Sequence, residues 1–227
     1  ERFFLPDSAT AFEIAPLSYE SLTPLSAFEI IAWSVAYELE IAGLIMMLEA
    51  SKIPSLRADR DDRHPLIVAG GPLTFSNPIP LGAYADVIVI GEAEELVLPL
   101  LRLAKSGGDR AALLRELADS PHLYVPALHG EVLPPVAKAS DAHLPAFSAI
   151  RTPDTELFDM FLIESERGCS RACTYCVMRR STNGGMRIVP QERILGHVPE
   201  GTRRVGLVGA AVSDHPKIVE IIDALAA

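Results

Sequence analysis

The sequence predicts an α/β protein, with an open doubly wound, Rossmann-like parallel sheet followed by the first strand and helix units of a second α/β domain. Three observations predict it. Short apolar runs rich in Ile and Val alternate with longer helix-forming stretches through the first 128 residues, each run ends in small residues, and the alternation resumes after a proline-rich interval.

The elements follow in order. FEIIAWSV (28–35) is almost wholly apolar, as expected of a strand buried on both faces. YELEIAGLIMMLEASKI (37–53) has the length and the Leu, Met, Glu and Ala content of a helix. HPLIVAGGP is a short strand ending at Gly70 and Gly71, and the turn-rich FSNPIP then leads into LGAYA, a short helix. DVIVIGEAEE is a strand running into a helix that begins near Glu92, with helices over 94–106 and 109–119 parted by Gly107 and Gly108. LYVPAL (123–128) reads as a last, edge strand because Pro126 cannot donate to a ladder.

This places a first domain at 1–128, a linker at 129–158 marked by Pro134, Pro135, Pro145 and Pro153, and a second unit at 159–227. In that unit FLIESERGCSRAC is a strand entering a loop. A turn (STNGGMR), a short helix (PQERILGHV), a strand (RRVGLVGA) and a helix (HPKIVEIIDALAA) follow. The unit is far shorter than a closed barrel, which needs eight strands.

Ligands of doubly wound sheets lie beyond the carboxyl ends of the strands. Here those ends carry Ser34, Gly70, Gly71, Gly91 and Glu92, and three strands that each end in small residues leave room for a flat ligand across the sheet edge. The glycines equally serve to turn the chain, and Glu92 to favour a helix amino terminus. Trp33, Met46 and Met47 sit among apolar neighbours and are expected in the core. His122, His129 and His143, with no partner in register, are expected in solvent.

Composition excludes several classes. With 49% hydrophobic and 22% charged residues, the chain can bury a sizeable core. No apolar run is long enough to span a bilayer and ERFFLPDSAT is not a signal peptide, which points to the cytoplasm and away from membrane partners. A net charge of -10 disfavours nucleic acid. Arg167, Arg171, Arg179, Arg180 and Arg187 nevertheless form a basic patch, either a solvated surface or a counter-charge to bound thiolates or a substrate carboxylate. The first residue is not Met, and an amino-terminal piece is expected to be missing. Open sheet edges are then expected to be covered by another chain, covered by a retained segment of the same protein, or left as aggregation-prone edges.

All three cysteines of the chain fall in ERGCSRACTYCVMRR (166–180), spaced Cys169-x3-Cys173-x2-Cys176. An odd, clustered set is no disulfide framework and fits a reducing compartment. Three soft thiolates in one loop would chelate a soft metal centre. Structural zinc needs a fourth ligand, for which His197 and His215 are off the usual spacing. A 4Fe-4S cluster held by three cysteines keeps one iron open for chemistry.

That spacing, directly after a strand and with Tyr175 before the third cysteine, resembles the signature of the radical SAM family. SVAYELE, HPLIVAGGPLTFSNPIPLGAYADVIVIGEAEE and VGLVGAAVSDHP resemble its branch with an amino-terminal cobalamin-binding-like domain. The resemblance implies a truncated TIM-type barrel over 159–227 and a 4Fe-4S cluster on Cys169, Cys173 and Cys176. It also implies reductive cleavage of S-adenosylmethionine to a 5'-deoxyadenosyl radical, used to modify, for instance methylate, a substrate the sequence does not identify. Tyr175 would pack near the adenine, and a reductant such as flavodoxin or ferredoxin would supply the electron. Gly209, Ala210 and Ser213 stand where the family has a Gly-Gly-Glu contact to the methionine.

In relatives that bind cobalamin, the corrin lies where this chain has Ser34, Gly70, Gly71, Gly91 and Glu92. The Asp-x-His-x-x-Gly motif for a lower cobalt ligand is broken in DRHPLI, where Ile67 replaces the glycine after His64. The remaining barrel strands are not in the chain, so alone it is not expected to turn over. Methylthiotransferases, which carry three further cysteines in the first domain, are set aside because this chain has none there. Two rivals stay open: a corrinoid-binding module, and an Fe-S protein that never meets S-adenosylmethionine.

Overall fold

In the computed structural model, which describes residues 1–5, 15–106, 108–171, 173–176 and 185–226, the chain divides into two units, Glu1–Lys138 and Ala139–Ala227. In the first, β1 (Ile30–Ser34), β2 (Leu66–Gly70), β3 (Val87–Val89) and β4 (Leu123–Tyr124) form one sheet in chain order. β1 and β2 are parallel, with Ile31 opposite Ile67, and β2 and β3 are parallel, with Val68 opposite Val87. The chain is thus a mixed α/β protein built on parallel strand pairs.

Three expectations change here. The sheet is not parallel throughout, because β4 runs antiparallel to β3 with Ile88 opposite Tyr124. Two successive helices, α2 (Val97–Lys105) and α3 (Arg110–Ala118), intervene, bringing the chain back to the end of the sheet it left. LYVPAL is strand only to Tyr124, since Pro126 opens a short helix, α4 (Pro126–His129). β1 is not buried on both faces: Ile31 is buried, Ala32 and Ser34 are exposed, and among the described strands β1 lies at the sheet edge.

The pleat of β2 sends alternate side chains to opposite faces, and each face builds a core. Ile67 and Ala69 pack with Ile31, Ile88 and Ile90 beneath α1 (Glu40–Ala50), which contributes Leu44, Met47 and Leu48. Leu66 and Val68 pack with Val87 and Val89 beneath Leu100 of α2 and Leu117 of α3. Each fully buried Leu or Ile contributes about 1.5–3 kcal/mol. Met47 is core as expected, whereas Met46 is 42% exposed because α1 turns only one side to the sheet. Trp33 is half-buried against the first core, and its Nε1 has no hydrogen-bond partner among the described residues.

No helix begins at Glu92. Gly91 adopts φ +101° and Glu92 N–H donates to Ala137 O, so helical geometry starts only at Val97. α3 starts where Asp109 caps it, accepting from Ala112 N–H at 3.0 Å. Below the sheet, Asp86 and Arg60 form an ion pair with side chains only 7% and 2% exposed. Asp86 also accepts from Ile67 N–H, while Arg60 donates to Pro54 O, Ser55 O and Tyr84 O, tying the α1–β2 connection to β2 and β3.

The second unit holds β5 (Phe161–Glu164) and β8 (Val205–Val208) as a parallel pair, and β6 (Glu166–Arg167) and β7 (Arg187–Ile188) as an antiparallel one. Phe161 and Ile163 alternate inward to meet Leu144, Val189, Ile194 of α5 (Gln191–His197) and Ile221 of α6 (Ile218–Ala226). The proline-rich stretch is shared between the units. Ala137 pairs with Gly91 in the first, and Phe147 bridges to Ile163 in the second. No helix among the described residues is long and apolar enough to cross a membrane.

Candidate functional site

β5 carries the chain out of its core to Ser165 and Glu166, both wholly buried. Ser165 N–H closes on Val208 O at 3.0 Å, so the end of β5 and the start of the loop after β8 are fixed together. Gly168, at φ +90°, then turns the backbone as few side chains permit. The cysteine segment follows at once. Cys169 and Cys176 are half-buried, Cys173 is exposed, and all three are free thiols. Arg171 N–H points at Cys169 Sγ (3.4 Å), and Cys176 N–H at Cys173 O (3.3 Å).

Among the described residues, no three His, Cys, Asp or Glu side chains are gathered closely enough to hold a metal ion. The fold therefore brings the three thiols to one loop but not to one point. As a donor set they suit a soft metal centre: free, at least partly accessible, and within one short segment.

The loop after β8 lies against this segment. Glu166 Oε1 accepts from Ala211 N–H at 2.7 Å, whereas its Oε2 is buried with no partner among the described residues. Burial, and secondarily the Glu164 and Asp214 carboxylates, push its carboxyl above the usual range, against the pull of Ala211 N–H. Asp214 accepts from both Nε and Nη2 of Arg171, and that hydrogen-bonded guanidinium holds its carboxyl below the usual range. Glu164 pairs with Arg167 at 2.7 Å, and Arg187 donates to Ala139 O and pairs with Asp141. The described arginines of the basic patch are thus matched to carboxylates of the chain itself, while Arg179 and Arg180 lie outside the described residues.

The sequence-predicted positions fall into two sets in separate units. In the second unit Gly209, Ala210 and Ser213 are exposed in the loop after β8, and Tyr175 is 89% exposed. In the first unit Ser34 and Gly70 are register partners at the ends of β1 and β2. Gly71, at φ +95°, leaves its missing Cβ 2.7 Å from Val35 N, and Gly91 leaves its own 2.6 Å from Ala137 N. Close approach of backbone to backbone therefore accounts for these two glycines without a ligand. Glu92 is half-buried beside Gly91, its N–H on Ala137 O.

The histidines are engaged locally. His215 is buried, with Nε2 on Val189 O and Nδ1 accepting from Lys217 N–H, so neither ring nitrogen is left for a metal. His197 Nδ1 meets Arg193 O and His64 Nδ1 accepts from Asp61 N–H. His129 Nδ1 accepts from Val125 N–H and closes its own turn rather than standing in solvent, His122 Nδ1 makes an exposed bond to Pro135 O, and His143 is exposed as expected.

Glu166 and Asp214 escaped the sequence reading. Alternation from Phe161 and Ile163 directs Ser165 inward and Glu166 outward, but the chain bends at Ser165 and both are buried. Asp214 lies one residue past Ser213, and nothing in VSDHP signals its partner 43 residues away.

Two comparisons bear on this arrangement. A family model described as radical SAM proteins, N-terminal, matches residues 1–126, a stretch that ends before the cysteine segment. A search of curated proteins finds no match.

Proposed function

Since the chain belongs to the radical SAM proteins through its residues 1–126, we propose that it uses the thiols of Cys169, Cys173 and Cys176 to hold a 4Fe-4S cluster that acts on S-adenosylmethionine. Membership of the family points to an enzyme. The observation that carries the finer reading is the trio of free thiols in one loop, entered through Gly168 and backed by the loop after β8. Cys169, Cys173 and Cys176 would hold such a cluster, which, once reduced by an external donor, would supply the one electron needed for reductive cleavage of S-adenosylmethionine.

The remaining steps belong to the chain. The thiols retain the metal, and the loop over Gly209, Ala210 and Ser213 forms the wall against which S-adenosylmethionine is held. Tyr175, exposed beside Cys176, offers an aromatic face to the adenine. The Arg167–Glu164 and Arg171–Asp214 pairs keep the loop neutral at its base, so the negative charge of the thiolates is not compounded there. A small electron-transfer protein of the flavodoxin or ferredoxin kind serves as reductant. In the finer fold reading, the first unit is a doubly wound sheet and the second the opening of a TIM-type barrel. Helices on both faces of β2 and the parallel β5–β8 pair support these two readings.

Anaerobic reconstitution with iron and sulfide tests the proposal, read by electron paramagnetic resonance of the reduced protein with and without S-adenosylmethionine. A 4Fe-4S signal whose g-values move on adding it is the expected result. Zinc uptake with no iron uptake would sink the reading, and a cluster indifferent to S-adenosylmethionine would leave an Fe-S protein of another kind.

A further inference from the structure

The thiol-bearing segment is held by more than its own strand. Asp214 accepts Arg171 Nη2 at 2.8 Å on Oδ1 and Nε at 3.0 Å on Oδ2, and Ser170 Oγ reaches the same Oδ2 at 3.4 Å. Ser170 and Arg171 lie between Cys169 and Cys173, so one carboxylate from the loop after β8 fixes the chain between the first two thiols. Ala211, in that same loop, donates to Glu166, just ahead of Cys169. The loop therefore grips the cysteine segment both at its entry and in its middle.

Asp214 is itself anchored. Its N–H donates to Ala211 O at 2.8 Å, and the next residue, His215, is buried with both ring nitrogens bonded. A guanidinium forked on a carboxylate sets direction as well as distance. The neighbouring Glu164 is committed to Arg167, so it does not stand in for Asp214.

We propose that Asp214 is a positioning residue: through Arg171 and Ser170 it sets where Cys169 and Cys173 stand relative to Gly209–Ser213, so that a metal on the thiols and a small cofactor on that loop meet in register. The identity of metal and cofactor rests on the function proposed above. The latch itself does not.

The test uses the whole chain as wild type, Asp214→Ala, Asp214→Glu and the exchanged pair Arg171→Asp with Asp214→Arg. In the metal-free protein, hydrogen exchange of peptides covering 166–176 is measured first. Asp214→Ala should raise it about five-fold, as expected for loss of a partly exposed forked ion pair, with the melting temperature and exchange in the first unit unchanged. The exchanged pair should bring it back. After reconstitution, Asp214→Ala should release iron to a chelator faster and need more S-adenosylmethionine for the g-value shift, with Asp214→Glu falling between it and wild type.

Unchanged exchange would overturn the proposal. So would a faster-exchanging loop whose iron release and g-value shift match wild type, since the pair would then be only a structural contact. If wild type takes up no iron, the proposed function fails, and the exchange measurement and its rescue still decide whether Asp214 latches the segment.

Discussion

A β-carbon on Gly209 would stand well inside 3.0 Å of Glu166 Oε1, with Glu166 O only 3.1 Å away. The loop after β8 therefore passes the buried carboxylate at a distance only glycine allows. Gly209→Ala must displace either that carboxylate, with loss of its bond to Ala211 N–H, or the loop. The expected cost is about 1–3 kcal/mol, read as a lowered denaturation midpoint. A variant as stable as wild type would show that the loop gives way freely.

Glu166 makes the second unit sensitive to pH. Burial raises its folded-state carboxyl above the ordinary 4.5, so the folded chain holds its proton more tightly than the unfolded one. The associated stability is fully present below the ordinary value and is lost as pH rises through the folded one. Glu166→Gln keeps an acceptor for Ala211 N–H and cannot ionise. Its melting temperature should fall less than that of wild type as pH is raised from about 4.5 towards neutrality, with 4.5 as the ordinary carboxyl value. Parallel curves for the two proteins would refute this.

In the first unit, Asp86 and Arg60 are buried together. Asp86→Ala leaves the guanidinium without its counter-charge and Ile67 N–H without its acceptor. Breaking such a pair costs about 3–5 kcal/mol, whereas replacing both partners by apolar residues of similar volume costs much less. Chemical denaturation of Asp86→Ala and of Arg60→Met with Asp86→Leu distinguishes the two. If the double variant is no more stable than the single, the unpaired charge is not the cause.

Gly91→Ala sets a side chain at φ +101° and 2.6 Å from both Ala137 N and Ala137 O. Backbone strain alone is worth about 1–3 kcal/mol, and the clash adds the loss of the Ala137 bonds to Ile90 O and Glu92 N. The variant should expose the segment around residue 137 to limited proteolysis. Resistance equal to wild type would mean that the pairing survives.

Legibility in the sequence follows how local each cause is. β2 and β3 were readable because Leu66–Gly70 and Val87–Val89 are apolar on both faces and buried on both. The clustering of the three cysteines in one segment was legible because Cys169-x3-Cys173-x2-Cys176 is local in the chain, while the chemistry attached to it came from a family resemblance and stands as a proposal. The orientation of β4 was not, since LYVPAL looks the same in either direction and the reversal arises from two intervening helices. Nor was the start of α2, where Glu92 and Glu94 suggest a helix but the bond from Glu92 N–H to Ala137 O withholds it. The gripping loop was invisible for the same reason: nothing local singles out Glu166 and Asp214, and only the fold brings Ala211 and Arg171 to them.

The hydroxyl of Thr74 has a consequence for how the first unit opens. Buried beside the strand ends, it donates to Gly71 O at 2.8 Å and accepts from Gly91 N–H at 3.2 Å, while Leu73 N–H bonds Val35 O. One oxygen thus joins turns that follow two different strands, and its neighbour joins a third. Fraying at any one of them removes partners from the others, so the three strand ends open as one cooperative element rather than in sequence. Thr74→Val, nearly the same shape without the hydroxyl, should split that element, giving the amides of Leu73 and Gly91 separate opening free energies where wild type has one.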